Sequence, residues 1–375
     1  MHHYAQGKPT KQAHKGIPEG FYEEEQGLKG FFGPVSHLVR KKPSTRWNKI
    51  EGELKPRMFD LVKLEGAPAS ADAIPDGRQR LFYNSALNVY WWWATPKAAD
   101  QLKAFRSSDG DLLYFCHRGE GEFLTEYGLL TYRAGHYINI PKCIAHTSLA
   151  KSPSIFFVVE NLNSHFEEPT RGIVGRHAVY DINSLGKPDL EKLQARLKEL
   201  HEPVREIEVK HEEKMTRFFY DETIYDVVGW KGDLFPFTLH MDDMMPLMSH
   251  RAHLPPSAHS TLIARDFVVC TFLPRPLERD ADALKVPFYH QNIDYDEIIF
   301  YHDGNFFSRD NLHAGMLSLH PSGFPHGPHP KAMKGISGKT ETNEYAVMVD
   351  SRLRFNREPV LARVELADYW KSWMG

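Results

Sequence analysis

The feature that most constrains this chain is that it repeats itself. Residues 111–119, DLLYFCHRG, match residues 296–304, DEIIFYHDG, in register and without gaps. Residues 135–146, GHYINIPKCIAH, match residues 315–326, GMLSLHPSGFPH. In both members of this second pair a proline follows the glycine by six residues, and a histidine follows the proline by five. Two motifs recurring in the same order, offset by 185 and 180 residues, mean that one supersecondary unit is used twice. Both copies are built from short apolar, aromatic and β-branched runs broken by glycine, proline or asparagine, the pattern of strands and turns. At 375 residues the chain can hold two cores of ordinary size.

The expected fold is therefore mainly β, two barrels with a few short helices. The clearest helix is 189–201, DLEKLQARLKELH, where leucines 190, 193, 197 and 200 recur at helical spacing. Residues 1–35 are polar and rich in glycine and lysine, and read as an N-terminal arm. Residues 36–242 read as the first domain with a helical linker segment, and 243–375 as the second. The YWWW run at 90–93 is expected to pack between barrels and subunits.

Composition excludes several classes. The net charge is −3 and no basic stripe interleaves with aromatics, so nucleic acid is not the expected partner. No 18-residue apolar run exists for a membrane span, and the N-terminus has no apolar signal core. Cys116, Cys143 and Cys270 are widely spaced and without a CxxC pair, which fits reduced thiols in a cytoplasmic protein rather than a cysteine zinc site.

The chemistry concentrates in the second copy, which carries several of the chain's 21 histidines. His290 and Asn292 are two apart, so on a strand they share one face. Glu297 follows across a short turn, and Gly304, Gly315, Pro321 and Gly323 punctuate the returning strands that deliver His326. Two imidazoles and one carboxylate with open positions are the donor set of iron(II) oxygenases. The first copy lacks this set: Phe105 stands in the place of His290 and Leu112 in that of Glu297, and only His146 survives. One iron per chain is expected, with none at His146.

These spacings resemble the cupin superfamily, whose signatures are G-x5-H-x-H-x3,4-E-x6-G and G-x5-P-x-G-x2-H. Residues 315–326 fit the second signature throughout. His290, Glu297 and Gly304 fit the first, with Asn292 in place of its second histidine and Leu284 in place of its leading glycine. The resemblance implies a bicupin, two jelly-roll β-barrels. It narrows to the homogentisate 1,2-dioxygenase family through SSDGDLLYFCHRGEGEFLTEYG (107–128), VVGWKGDLFPF (227–237), AHLPPSAHST (252–261), PFYHQN and LHPSGFPHGP. Residues 1–80 match that family poorly, and one extra residue separates His290 from Glu297, which leaves Asp296 as a rival ligand.

What the resemblance implies is a ring-cleaving dioxygenase with Fe2+ on His290, Glu297 and His326. Its base would be His253, with His250 a nearby rival. Arg309, Asn292 and His320 would bind a small aromatic acid such as homogentisate, alongside O2. His320 and His329 flank His326 and could instead orient an imidazole. Gln291 and Phe306 depart from the family pattern, as does Arg309 where a lysine is usual. A homo-oligomer, trimer or hexamer, is also implied. The alternatives are another cupin dioxygenase of gentisate or flavonol type, or a bicupin that binds a metal or small molecule without catalysis.

Overall fold

The computed structural model describes residues 4–64, 77–201, 203–285, 288–306, 312–335 and 338–374. The chain divides into two compact units. One comprises 64–244 with 356–361, and the other comprises 1–63, 245–355 and 362–375. Both are jelly-roll β-barrels, so the protein is mainly β with the bicupin architecture.

In the N-terminal barrel a seven-stranded sheet runs Phe237–His240, His136–Ile140, Asp111–Arg118, Ser154–Asn161, Leu87–Ala94, Arg78–Tyr83, Asn356–Arg357. A six-stranded sheet runs Lys214–Phe219, Glu206–His211, Ala104–Ser107, His146–Ala150, Glu120–Thr125, Gly128–Arg133. Tyr90, Trp92, Tyr114, Phe123 and Phe156 fill this barrel. Two residues of the YWWW run depart from expectation: Tyr90 and Trp92 belong to the barrel's own core, because alternate strand residues face inward. The helix is Leu190–Leu200, capped by Asp189, whose side chain accepts from the Lys192 amide at 3.0 Å, and by His201 in the left-handed conformation.

In the C-terminal barrel a six-stranded sheet runs Ser260–Ile263, Phe267–Phe272, Asn343–Ser351, Asp296–Asn305, Met316–His320, Arg57–Asp60. A second sheet has Tyr289–Asn292 at one edge, Tyr22–Lys29 in the middle and Phe32–Arg40 outside. His290 and His326 exchange two backbone hydrogen bonds of 2.8 Å. Cys270 lies in this core, as its apolar neighbours suggest.

The N-terminal segment corrects the expected boundaries. Residues 22–40 form a hairpin paired in parallel with the strand that carries His290, and Arg57–Asp60 completes the sheet beside Met316–His320. Residues 36–63 therefore belong to the C-terminal unit. The physical reason is that the edges of Tyr289–Asn292 and Met316–His320 need partners, and local sequence does not say which segment supplies them.

The internal repeat is visible in the backbone. Gly119 and Gly304 have φ of 94° and 99°, and Gly135 and Gly315 have φ of 89° and 90°. These positive φ values are open to glycine at little steric cost, so each motif glycine takes the same backbone conformation in each barrel. Among the described residues no helix is long and apolar enough to cross a membrane.

Candidate metal centre

Three strands deliver the centre. His290 stands on Tyr289–Asn292, Glu297 opens the long strand Asp296–Asn305, and His326 follows the turn after Met316–His320. One donor atom from each lies within 4.8 Å of the others, and all three residues are buried. His326 Nε2 is 3.6 Å from Glu297 Oε1, and the two imidazole centroids are 4.0 Å apart.

Each ring is set by its own backbone. His290 Nδ1 bonds to the Phe288 carbonyl at 3.0 Å, and His326 Nδ1 to the Phe324 carbonyl at 3.0 Å. A carbonyl accepts only, so each Nδ1 carries the proton and each Nε2 presents a lone pair. Both Nε2 atoms are buried with no hydrogen-bond partner. A buried ring nitrogen left open costs free energy unless something takes its lone pair. Two such nitrogens beside one carboxylate fit a divalent metal ion.

The surrounding charges favour ligation. Burial, then the neighbouring His326, holds His290 well below the usual histidine value, so it is neutral. Burial acts to raise Glu297, but the hydrogen bond from His320 and the nearness of the His326 ring outweigh it, and the carboxyl sits well below its usual range. Asp350, across the sheet, is pushed well above the ordinary carboxyl value by burial and then by Glu297.

The structure also separates the rival residues. Asp296 is used as a backbone acceptor, taking the Ser322 and Phe355 amides at 2.8 Å each. Glu297 alone of the pair turns toward the histidines. His253 lines the same cavity as His290 and Glu297, with Nδ1 3.0 Å from Glu278 Oε1, while His250 is exposed. Burial keeps His253 neutral, against the pull of Glu278.

Two expected substrate groups stand elsewhere. His320 is fully buried behind the carboxylate, bonding Glu297 Oε1 through Nδ1 at 2.7 Å and stacking on His326 at 4.6 Å. Its register opposite Glu297 puts it there rather than on the cavity wall. Asn292 is buried on the His290 face of its strand and lies outside the cavity lining. Arg309 lies outside the described residues. His329 is buried against Trp373, with ring centroids 4.2 Å apart.

Sequence reading missed Arg275. It lines the cavity with its Nη1 buried and without a hydrogen-bond partner, 3.9 Å from Glu278 Oε1. Burial lowers its pKa against the carboxylates of Glu278 and Glu344. Its sequence context, LPRPLER, carries no signal for this place. The rest of the wall is largely apolar, with Phe272, Leu273, Phe288, Ile299, Tyr301 and Met348.

Strand order and donor set define the class: a cupin barrel with two histidines and one carboxylate poised for a metal, in tandem with a barrel lacking that set. Comparison narrows the class. The profile of the homogentisate 1,2-dioxygenase N-terminal region matches residues 73–241. A Saccharolobus solfataricus protein provisionally named a dioxygenase is 30% identical over 365 residues, spanning 94% of this chain and 92% of its own. Homogentisate 1,2-dioxygenases of Oryza sativa and Drosophila melanogaster are 24% and 28% identical, over 80% and 62% of this chain. The chain matches 65% and 54% of the length of those two enzymes. A solved cupin barrel protein of Leptotrichia buccalis aligns with 80% of this chain at 10% identity and a TM-score of 0.37, and the fold assignment does not rest on it. The chain belongs to the homogentisate 1,2-dioxygenase family, and it is a dioxygenase.

Proposed function

We propose that the chain is an Fe(II)-dependent ring-cleaving dioxygenase for homogentisate or a related hydroquinone-type aromatic acid. Homogentisate would be opened to maleylacetoacetate, with both atoms of O2 entering the product. The observation that carries this reading is the pair of open Nε2 atoms, on His290 and His326, beside Glu297 on the wall of an apolar cavity.

His290, Glu297 and His326 would hold the iron on one face. Fe(II) in such a set would supply the electron transfer between a phenolate and O2 that ring cleavage needs. His320 keeps the Glu297 carboxylate ionised and in place. His253 is the base for a ring hydroxyl: it is neutral, and its bond to Glu278 through Nδ1 leaves Nε2 to take the proton. Glu278 then stabilises the resulting imidazolium. Arg275, with an open guanidinium nitrogen in the same cavity, is the group that anchors the side-chain carboxylate by charge-assisted hydrogen bonds. The apolar wall excludes water and strengthens these interactions.

The test is anaerobic loading of the iron-reconstituted protein with homogentisate, followed by admission of O2. Expected are one O2 consumed per substrate and a ring-opened diketo acid. Turnover of gentisate or a flavonol, with none of homogentisate, would move the substrate assignment. No O2 uptake with any of them by iron-loaded protein would overturn the reading.

A further inference from the structure

A second cluster of the same donor types lies where the segment around His14 meets the N-terminal hairpin, apart from the centre described above. His14, Glu23 and His37 bring one donor atom each within 4.8 Å of one another. His14 and Glu23 are 3% and 2% exposed. His14 Nδ1 is 3.0 Å from Glu23 Oε2, and His37 Nδ1 is 3.7 Å from Glu23 Oε1. Neither Nδ1 makes a hydrogen bond, although both atoms are buried. The opposite nitrogens face a second carboxylate: His14 Nε2 bonds Glu25 Oε2 at 2.9 Å, and His37 Nε2 lies 3.7 Å from the same oxygen.

Both imidazoles thus present Nδ1 to Glu23 and Nε2 to Glu25. A carboxylate behind a histidine is what orients a metal ligand and raises its basicity. Strand register makes the arrangement. Glu23 and Glu25 alternate onto one face of Tyr22–Lys29, His37 stands directly opposite Glu25, and His14 lies over that face. Glu23 already accepts from the Thr10 hydroxyl and the His14 amide, but each carboxylate oxygen has two lone pairs. The two glutamates bring two buried carboxylates up to the rings, a charge that a divalent cation can balance. An ion about 2.0–2.2 Å from nitrogen and oxygen ligands places them roughly 3–3.6 Å apart, close to the 3.0 and 3.7 Å that separate the two Nδ1 atoms from the two Glu23 oxygens.

We propose that His14, Glu23 and His37 form a second divalent-cation site of Zn2+ type, with Glu25 as its supporting carboxylate. The ion would clasp the segment around His14 to the N-terminal hairpin. His14 stacks on Phe288 with ring centroids 3.9 Å apart, and Phe288 meets His253 and His290 edge-on at 5.6 and 5.3 Å. The clasp would therefore fix one wall of the cavity without contributing to the chemistry there.

Titration of metal-depleted protein with Zn2+ against a chromophoric chelator tests this. The parent should bind two equivalents and Glu297→Gln one. In the Glu297→Gln background, His37→Gln should remove the remaining equivalent, and Glu25→Gln should weaken it about 10–100-fold. Retention of no equivalent by Glu297→Gln, or of one by the double variant with His37→Gln, overturns the proposal. Should a variant not fold, anomalous scattering from a Zn2+-soaked crystal of the parent decides. A peak beside both Nδ1 atoms supports the site, and a peak only at His290, Glu297 and His326 refutes it. The catalytic reading fails on O2 uptake and this one on an ion count, so the two fail separately.

Discussion

The two barrels place the same backbone device around opposite chemistry. In the C-terminal barrel His290 pairs with His326, and in the N-terminal barrel Phe105 pairs with His146. Glu297 lies opposite Asp350 in one, and Leu112 opposite Glu160 in the other. The two surviving histidines are even held alike, His146 Nδ1 on the Ile144 carbonyl at 3.2 Å and His326 Nδ1 on the Phe324 carbonyl at 3.0 Å. They differ at the other nitrogen. His146 Nε2 is bonded to the Tyr114 hydroxyl at 2.7 Å, and Arg78 donates to that same hydroxyl at 2.6 Å. The Arg78 guanidinium lies 3.9 Å from the centre of the Phe105 ring. The Arg78 cation and the Trp92, Phe105 and Tyr114 rings it packs against thus fill the place that corresponds to the donor set in the other barrel. The lesson is that a histidine at this place in the barrel is open to a metal only where its neighbours leave Nε2 unused.

The strongest way to break the comparison is to remove a donor from each side. Glu297→Gln should strip iron from the centre and lower turnover by more than the roughly 100-fold typical of losing a supporting group. His146→Leu should leave iron content and kcat at the parental level. Equal losses in the two variants, measured by iron analysis and O2 uptake, would mean that both barrels bind catalytic metal.

The next test stays in the C-terminal cavity. His253→Ala should keep its iron and lose about 10²–10⁴-fold in kcat. Because burial lowers the His253 pKa, the base stays unprotonated below the ordinary histidine value. The acid limb of the parental kcat/KM profile should therefore fall below pH ~6.5, and an unchanged profile in His253→Ala would remove it from the role. Arg275→Ala should act mainly on KM, on the order of 2–5 kcal/mol for a lost buried charge pair. If kcat falls as far as kcat/KM, the guanidinium is serving the transition state instead.

Acid stability compares the barrels from the other side. His146 is held down to a pKa of about 3, by burial and then by Arg78. Its folded value lies below its unfolded one, so the unfolded chain binds the extra proton between roughly pH 6.5 and 3. The neutral ring therefore costs nothing above that window and destabilises as pH falls through it. From pH 7 to 4 the loss from this one residue is about 3 kcal/mol. His146→Leu should lose correspondingly less stability over that range in urea unfolding, and parallel curves would refute the assignment. The smallest expected effect is a null result: Phe105→His with Leu112→Glu should add no metal while Arg78 remains in place. An added equivalent would show that donors alone make a site.

Much of this was legible before any coordinates, for a definite reason. The repeat and the ligand spacings are local patterns: glycines at left-handed turns, and alternating apolar runs, with histidines at set distances from both. Glu297 over Asp296 was read from spacing, and the backbone bonds of Asp296 give the geometric reason. The N-terminal hairpin was not legible, because its first strand buries Glu23, Glu24 and Glu25 on both faces where periodicity rules look for apolar residues. A carboxylate is buried only when a partner meets it, and His14, His37 and Arg40 come from other segments.

Sequence alone thus determined the two β-barrels, which of them keeps the donor set, and the family. Tertiary structure decided what each donor faces: that His253 and not His250 lines the cavity, that His320 stands behind Glu297, and that Arg275 enters the wall. The division follows from range. Turn and strand preferences act between neighbours in the chain. The state of a buried nitrogen or guanidinium depends on which distant groups arrive beside it, and no local pattern encodes that.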